Sequence, residues 1–152
     1  MWRSILGIIA GCFAGGIVAF LVEVPGMLIH PLPPGTNMSD SEALKSHMAN
    51  APLAALLCVA VAWTMAPFVA AWLAGLIARR AFLAHALIVG IFFVAMDMIN
   101  VASFPHPIWL IAVGMVAPLV ASFLGGSLAA RQVPSRPVGP QPYDMREKNM
   151  AC

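Results

Sequence analysis

From Leu53 to Ala78 the chain reads LAALLCVAVAWTMAPFVAAWLAGLIA, without a single charged side chain. The hydrocarbon core of a bilayer is about 30 Å thick and a helix of about 20 apolar residues crosses it, so this segment is long enough to span a membrane. Three further apolar stretches flank it and fill most of the 152 residues. The sequence therefore predicts an all-α protein, a four-transmembrane-helix bundle with helices at about 4–26, 52–78, 81–102 and 108–130.

The composition agrees with a membrane protein. Hydrophobic residues make up 61% of the chain and charged residues 9%, a balance far from that of a soluble globular domain. The formal net charge is only +2, and no run of basic residues is interleaved with aromatic ones. We therefore predict membrane lipids as the surroundings and no nucleic-acid partner.

The basic residues gather at one set of helix ends. Of the 8 Lys and Arg residues, only Lys45 lies in the loop after the first predicted helix. Because basic residues are retained on the cytoplasmic side of a bacterial inner membrane, this asymmetry predicts a multi-pass protein of that membrane, N-in/C-in, with both termini cytoplasmic. The others precede the first helix, fill the turn between the second and third, or follow the fourth: Arg3, Arg79, Arg80, Arg131, Arg136, Arg146 and Lys148.

Two segments lie outside the predicted spans. In the outer loop between the first and second helices, Ser39 precedes Glu42 by three residues, the spacing of a capping box, which predicts a short amphipathic helix on the membrane surface. Beyond residue 131 the chain is rich in proline and cannot bury enough apolar surface to fold alone. We therefore predict a transmembrane domain at 1–131 and a proline-rich cytoplasmic tail at 132–152, docked on a partner protein.

Small residues recur at intervals of four along the predicted spans. Such stripes let the backbones of two helices approach closely, so they predict where helices pack. Packing within the chain is the favoured interpretation, and contact with another subunit is the alternative. The predicted packing positions are Gly7, Gly11 and Gly15 in the first helix, Ala66, Ala70 and Ala74 in the second, and Gly125 in the fourth.

Two acids, Glu23 and Asp97, interrupt the apolar stretches near their outer ends. A charge in a span is costly, so an acid there normally has a partner or a function. Asn100 lies one turn beyond Asp97, while His30 and His106 follow the two acids and each precede a proline. These five residues are the candidate polar or ion cluster.

Three interpretations of this cluster stay open. In the favoured one, the acids accept hydrogen bonds from Asn100, the histidines or free backbone groups and serve the structure. In the second, Glu23 and Asp97 couple to protons or cations. In the third, the two acids and His30 and His106 bind zinc, iron or manganese at the outer face, although their spacing matches no metal motif. We predict no metal ligand and no catalytic residue.

No cofactor is predicted either. His85 is the only histidine within a predicted span. A haem held by two histidines of this chain would need a second one at membrane depth.

Several short segments of the chain resemble those of small uncharacterised four-helix membrane proteins of bacteria. They are MWRSI at 1–5, the glycine ladder formed by Gly7, Gly11 and Gly15, Glu23, PLPPG at 31–35 and FPHPIW at 104–109. The resemblance covers residues 1 to about 130 and implies the four-helix fold and the membrane location, but no activity. Small multidrug transporters also have four helices with an acid in the first. Their acid lies deep in the span, whereas Glu23 lies at its outer end.

Three functions are compatible with these features. The favoured hypothesis is a non-catalytic accessory or assembly subunit of a larger inner-membrane complex, with an energy-converting complex as one candidate and other membrane-protein subunits as partners. The alternative is a small homo-oligomeric transporter or channel that uses Glu23 and Asp97. The third is an outer-face metal-dependent enzyme.

Overall fold

The computed structural model describes residues 2–37 and 39–133, which form five helices and no strand in these ranges. Four of the helices are long and apolar enough to cross a membrane, which confirms the all-α prediction and the four predicted spans. Apart from Gln132 and Val133, the predicted tail at 132–152 lies outside the described residues. The helices are α1 (Trp2–Ile29), α2 (Ser41–Ala49), α3 (Leu53–Ala78), α4 (Phe82–Ser103) and α5 (Ile108–Gln132).

The first helix is longer than the sequence predicts. It continues through Pro25, and the backbone N–H of His30 still donates to the carbonyl of Gly26 at 3.0 Å. A proline inside a helix removes one hydrogen bond, and the helix runs on for another turn beyond that loss. Pro67 and Pro118 likewise lie inside α3 and α5.

The short helix α2 starts from a different cap than the predicted one. Asp40 is the N-cap, and its Oδ1 accepts hydrogen bonds from the backbone N–H groups of Glu42 and Ala43, both at 3.1 Å. The capping box predicted between Ser39 and Glu42 is therefore wrong. The Asp40 carboxylate takes the free N–H groups of the first turn, and the Glu42 side chain pairs instead with Lys45 at 3.1 Å.

The third helix, α3, is the centre of the bundle. It packs against α1, α4 and α5, and α4 and α5 pack against each other. In contrast, α1 has only a short contact with α4 and none with α5 within the described residues. The bundle is therefore a three-helix unit of α3, α4 and α5 with α1 lying on α3, and it stays open between α1 and α4.

The glycine ladder of α1 lies directly on the α3 backbone. Gly7, Gly11 and Gly15 are buried opposite Ala74, Ala70 and Ala66, so the two helices run antiparallel in a matched register. A Cβ on Gly7 would come within 2.8 Å of the Ala74 carbonyl oxygen, and one on Gly15 within 2.8 Å of that of Ala66. Only glycine allows so close an approach of the two backbones.

In α5, adjacent glycines face two different helices. Gly125 lies against the backbone carbonyl of Phe68 in α3. A Cβ on its neighbour Gly126 would come within 2.7 Å of the Ala86 Cβ in α4. This pair of glycines therefore fits α5 closely between α3 and α4.

The turn between α3 and α4 is tight and uses two left-handed residues that are not glycine. Arg79 has φ 54° and Ala81 has φ 47°. The Arg79 N–H donates to the Gly75 carbonyl at 2.9 Å, the usual closure of a helix by a left-handed residue. Arg80 turns back to α1, where its Nη2 donates to the Ser4 hydroxyl at 3.1 Å.

The alternating helices give the molecule two unlike ends. We call the end that carries Arg3, Arg79, Arg80 and Arg131 the arginine end, and the end that carries α2 the loop end. In the described part of the chain, the loop-end half carries Lys45 as its one Lys or Arg residue. It also carries every acid of these residues: Glu23, Asp40, Glu42 and Asp97.

Candidate functional site: the lateral cleft

An open cleft of about 290 Å³ separates α1 from α4, with α3 behind it. Gly16, Phe92 and Met96 at its edges are exposed, so the cleft opens on the side of the bundle rather than at an end. We call it the lateral cleft. It is lined by Cys12, Gly16, Ala19 and Glu23 of α1, by Ala62, Trp63 and Ala66 of α3, and by Phe92, Phe93, Met96, Asp97 and Asn100 of α4.

Asp97 is the most unusual residue of this cleft. Its side chain is 5% exposed, and its buried Oδ2 has no hydrogen-bond partner in the described part of the chain. Gly114 of α5 lies beside it and makes room for the Trp63 ring, because a Cβ there would come within 2.6 Å of that ring and 3.4 Å of the Asp97 Cβ. A buried carboxylate oxygen without a partner is costly and calls for a donor or a cation.

Glu23 joins the lateral cleft to a second cavity. This smaller cavity, about 170 Å³, lies beneath α2, and the Glu23 side chain lines both spaces. The only ion pair among the described residues is that of Lys45 with Glu42, so it leaves out both Glu23 and Asp97. Two ionised carboxylates in one apolar cleft repel each other, and a cation between them would remove that repulsion.

His30 lies near Glu23 but is held by another histidine. It lines the smaller cavity, where its ring stacks on that of His47 with centroids 4.0 Å apart and planes 11° from parallel. Its Nε2 donates to the His47 carbonyl at 3.0 Å, since a carbonyl oxygen can only accept. The sequence did not point to His47, because nothing local signals a contact between a residue at the end of α1 and one in α2, 17 positions further along the chain.

His106 packs against Trp63, with ring centroids 5.7 Å apart. Its Nδ1 donates to the Phe104 carbonyl at 2.8 Å, which leaves Nε2 as the free acceptor of a neutral ring. That Nε2 is buried and has no partner within the described residues. His106 does not line the lateral cleft, whereas Asn100 lies at its exposed edge.

The five predicted cluster residues thus divide into separate groups. Glu23, Asp97 and Asn100 share the lateral cleft, His30 pairs with His47, and His106 packs on Trp63. In residues 2–37 and 39–133, no three His, Cys, Asp or Glu side chains stand close enough to hold a metal ion. The metal-dependent enzyme gains no support from these residues, because His30 contacts His47, His106 contacts Trp63, and neither completes a group of three with the two acids.

His85 is buried near the arginine end, away from this cleft. It is 5% exposed, and its Nδ1 donates to the Ala81 carbonyl at 2.8 Å. This hydrogen bond ties the histidine to the first turn of its own helix.

No protein-family model matches the chain, and neither the curated proteins nor the solved structures gave a match. The class of protein therefore follows from the fold alone. Four helices of spanning length and apolar composition indicate a multi-pass membrane protein. The resemblance to small bacterial four-helix proteins stays a prediction.

Proposed function

We propose that this chain is a non-catalytic accessory or assembly subunit of a larger complex in a bacterial inner membrane. The observation that carries the proposal is the lateral cleft, which α1 and α4 leave open beside Asp97, whose buried Oδ2 has no partner among the described residues. Such a cleft, with a buried polar group to satisfy, fits contact with a neighbouring protein.

The lining of the cleft favours a helix as the neighbour. A Cβ on Gly16 would meet nothing within 4 Å, so the α1 backbone is accessible at this point. Ala19 lies one turn further on, and Ala62 and Ala66 form the floor. Small residues beside an open groove are a common packing surface for a second membrane helix, because van der Waals contact between backbones drives helix association in lipid.

The charge distribution supports an orientation. With the arginine end in the cytoplasm, the termini lie inside, and α2 with its Lys45 and Glu42 lies on the outer surface. The two acids of the lateral cleft then lie near the outer headgroups, where a charged side chain destabilises a membrane protein least.

Native mass spectrometry of the chain extracted from its source membrane tests the subunit proposal. We expect one copy within a discrete larger assembly. A chain that leaves the membrane only as a homo-oligomer would contradict the proposal.

A second candidate function is a small homo-oligomeric transporter or channel. One observation favours it: Glu23 and Asp97 face the same cleft, and Glu23 also faces the cavity beneath α2. In reconstituted vesicles, Glu23→Gln and Asp97→Asn would then abolish proton-coupled flux. Glu42→Gln is the matched control, because Glu42 is an exposed acid at the same end. Flux that is equal in all variants would exclude the two acids from transport.

A further inference from the structure

We infer that the occupant of the lateral cleft is a spanning helix of a different polypeptide, with a Lys or Arg side chain at the depth of Asp97. The inference rests on the proposed subunit function and names the partner's chemistry. It joins three observations: a buried oxygen of Asp97 that has no partner in residues 2–37 and 39–133, a second acid in the same cleft, and an open groove along α1.

A cation fits the cleft better than a neutral donor. Asp97 is 5% exposed, and its Oδ2 lacks a partner within the described residues, while Glu23 faces the same space. A single amide or hydroxyl would satisfy one carboxylate and leave the other charge uncompensated, whereas an ammonium or guanidinium group can reach both. Trp63 and Phe93 also line the cleft, and aromatic faces attract cations.

The shape of the cleft favours side chains from a helix over a compact free ligand. Its α1 wall runs from Cys12 to Glu23, about 16 Å at 1.5 Å per residue, and so follows the helix axis for about three turns. The volume of about 290 Å³ accommodates a few side chains and not a whole helix. The partner therefore lies across the open side and inserts side chains, and its long basic side chain extends toward the acids.

A second copy of this chain does not supply that cation. Within the described residues, the loop-end half carries one basic residue, Lys45, which is on α2 and already pairs with Glu42. Two copies in the same orientation would bring four carboxyl groups together, which is repulsive. An inverted copy would place its arginine end on the opposite side of the membrane, against the charge rule that orients membrane proteins.

Site-specific photo-cross-linking of the full chain in its source membrane tests the inference. A benzophenone amino acid at Gly16 places the probe at the edge of the lateral cleft, because Gly16 lines it and a Cβ there would meet nothing within 4 Å. The same amino acid at Leu124 is the matched control, because Leu124 lines an apolar groove between α3 and α5 without an acid. We expect a cross-link to one other polypeptide from Gly16 and none to that polypeptide from Leu124.

The sequence of the cross-linked segment and two variants decide the chemistry. We expect a Lys or Arg in the loop-end turns of the cross-linked span. Asp97→Asn and Glu23→Gln should each lower the cross-link yield about tenfold or more, as loss of one partner of a buried charge pair does. Asp97→Lys should abolish the cross-link, and the reverse change of the partner's basic residue to Asp should restore it. Restoration excludes misfolding as the cause of the loss.

The outcomes of this experiment distinguish a failure of the inferred partner chemistry from a failure of the proposed subunit function. A cross-link to a different polypeptide that lacks such a basic residue, or whose yield Asp97→Asn and Glu23→Gln leave unchanged, overturns the inferred chemistry and leaves the subunit proposal standing. A cross-link only to another copy of this chain overturns both. A cross-link only to lipid or to a small amphiphilic cation also overturns both.

Discussion

At the scale of single residues, the same amino acid has opposite roles on two faces of α1. Gly11 is buried against the backbone carbonyl of Ala70, whereas nothing lies within 4 Å of a Cβ on Gly16. The interval of four in the sequence includes Gly11 and leaves Gly16 out, but it does not say which helix Gly11 faces. The position of α3 decides that Gly11 packs on Ala70 and that Gly16 borders the cleft.

This difference gives a direct prediction. Gly11→Ala should lower the free energy of unfolding by about 1–3 kcal/mol, the usual cost of overpacking, because the added methyl group overlaps the α3 backbone. Gly16→Ala should leave stability unchanged or raise it slightly, because alanine is the better helix former. Unfolding in mixed micelles with increasing dodecyl sulfate measures both. Equal effects of the two substitutions would contradict the α1–α3 packing.

Asp97 lowers the stability of the isolated chain, and a partner that pairs with its carboxylate would remove this cost. In the isolated chain, Asp97→Asn should raise the free energy of unfolding by about 1 kcal/mol, because it removes the charge from a carboxylate whose buried Oδ2 has no partner in the part of the chain that the structure describes. Glu42→Gln is the control, since it removes an exposed charge paired only with Lys45. The same micelle titration decides the matter. Destabilisation by Asp97→Asn would mean that the carboxylate already has a partner within the chain.

At the scale of helices, the length of the apolar stretches predicted the four spans, and capping chemistry decided where the short helix α2 begins. The four long helices follow from uninterrupted apolar stretches, which have one stable backbone conformation in lipid. The start of α2 did not follow as well, because Ser39, Asp40 and Ser41 are all acceptable caps and lie side by side. The structure assigns the cap to Asp40.

The assignment of the N-cap to Asp40 can be tested through the local stability of α2. Asp40→Ala should destabilise this helix by about 1 kcal/mol, the usual value of an N-cap, because the N–H groups of Glu42 and Ala43 lose their acceptor. Hydrogen exchange of the amides in residues 41–49 should then become about fivefold faster. Ser39→Ala should leave the exchange rate unchanged. The reverse pattern would restore the capping box that the sequence predicted.

At the scale of the whole molecule, the positions of the helices relative to one another were not predictable. Short connections make sequential helices neighbours, but they do not say how far α1 lies from α4. That distance depends on the close packing of α1 on α3 through glycine and alanine, which leaves the lateral cleft beside it. The cluster residues were likewise predicted as a set, and the structure places only Glu23, Asp97 and Asn100 in the lateral cleft. His30 stacks on His47 and His106 packs on Trp63, contacts that no local pattern of the sequence signals.

The orientation of the whole chain is open to a labelling experiment. In a background with the 3 native cysteines replaced by serine, Lys45→Cys should react with a membrane-impermeant maleimide added to intact cells. Arg79→Cys should react only after the membrane is opened, because the turn between α3 and α4 lies at the arginine end. Labelling of Arg79→Cys in intact cells would reverse the proposed orientation.

We propose that the lateral cleft binds another subunit, and a bulky side chain at the edge of the cleft tests this most directly. Native mass spectrometry should find the wild-type chain and the control Leu124→Phe as one copy within a larger assembly. Gly16→Phe adds a ring at the edge of the cleft, where a Cβ would meet nothing within 4 Å, so the chain should still fold but no longer enter the assembly. A Gly16→Phe chain that assembles as fully as the wild type would contradict the account.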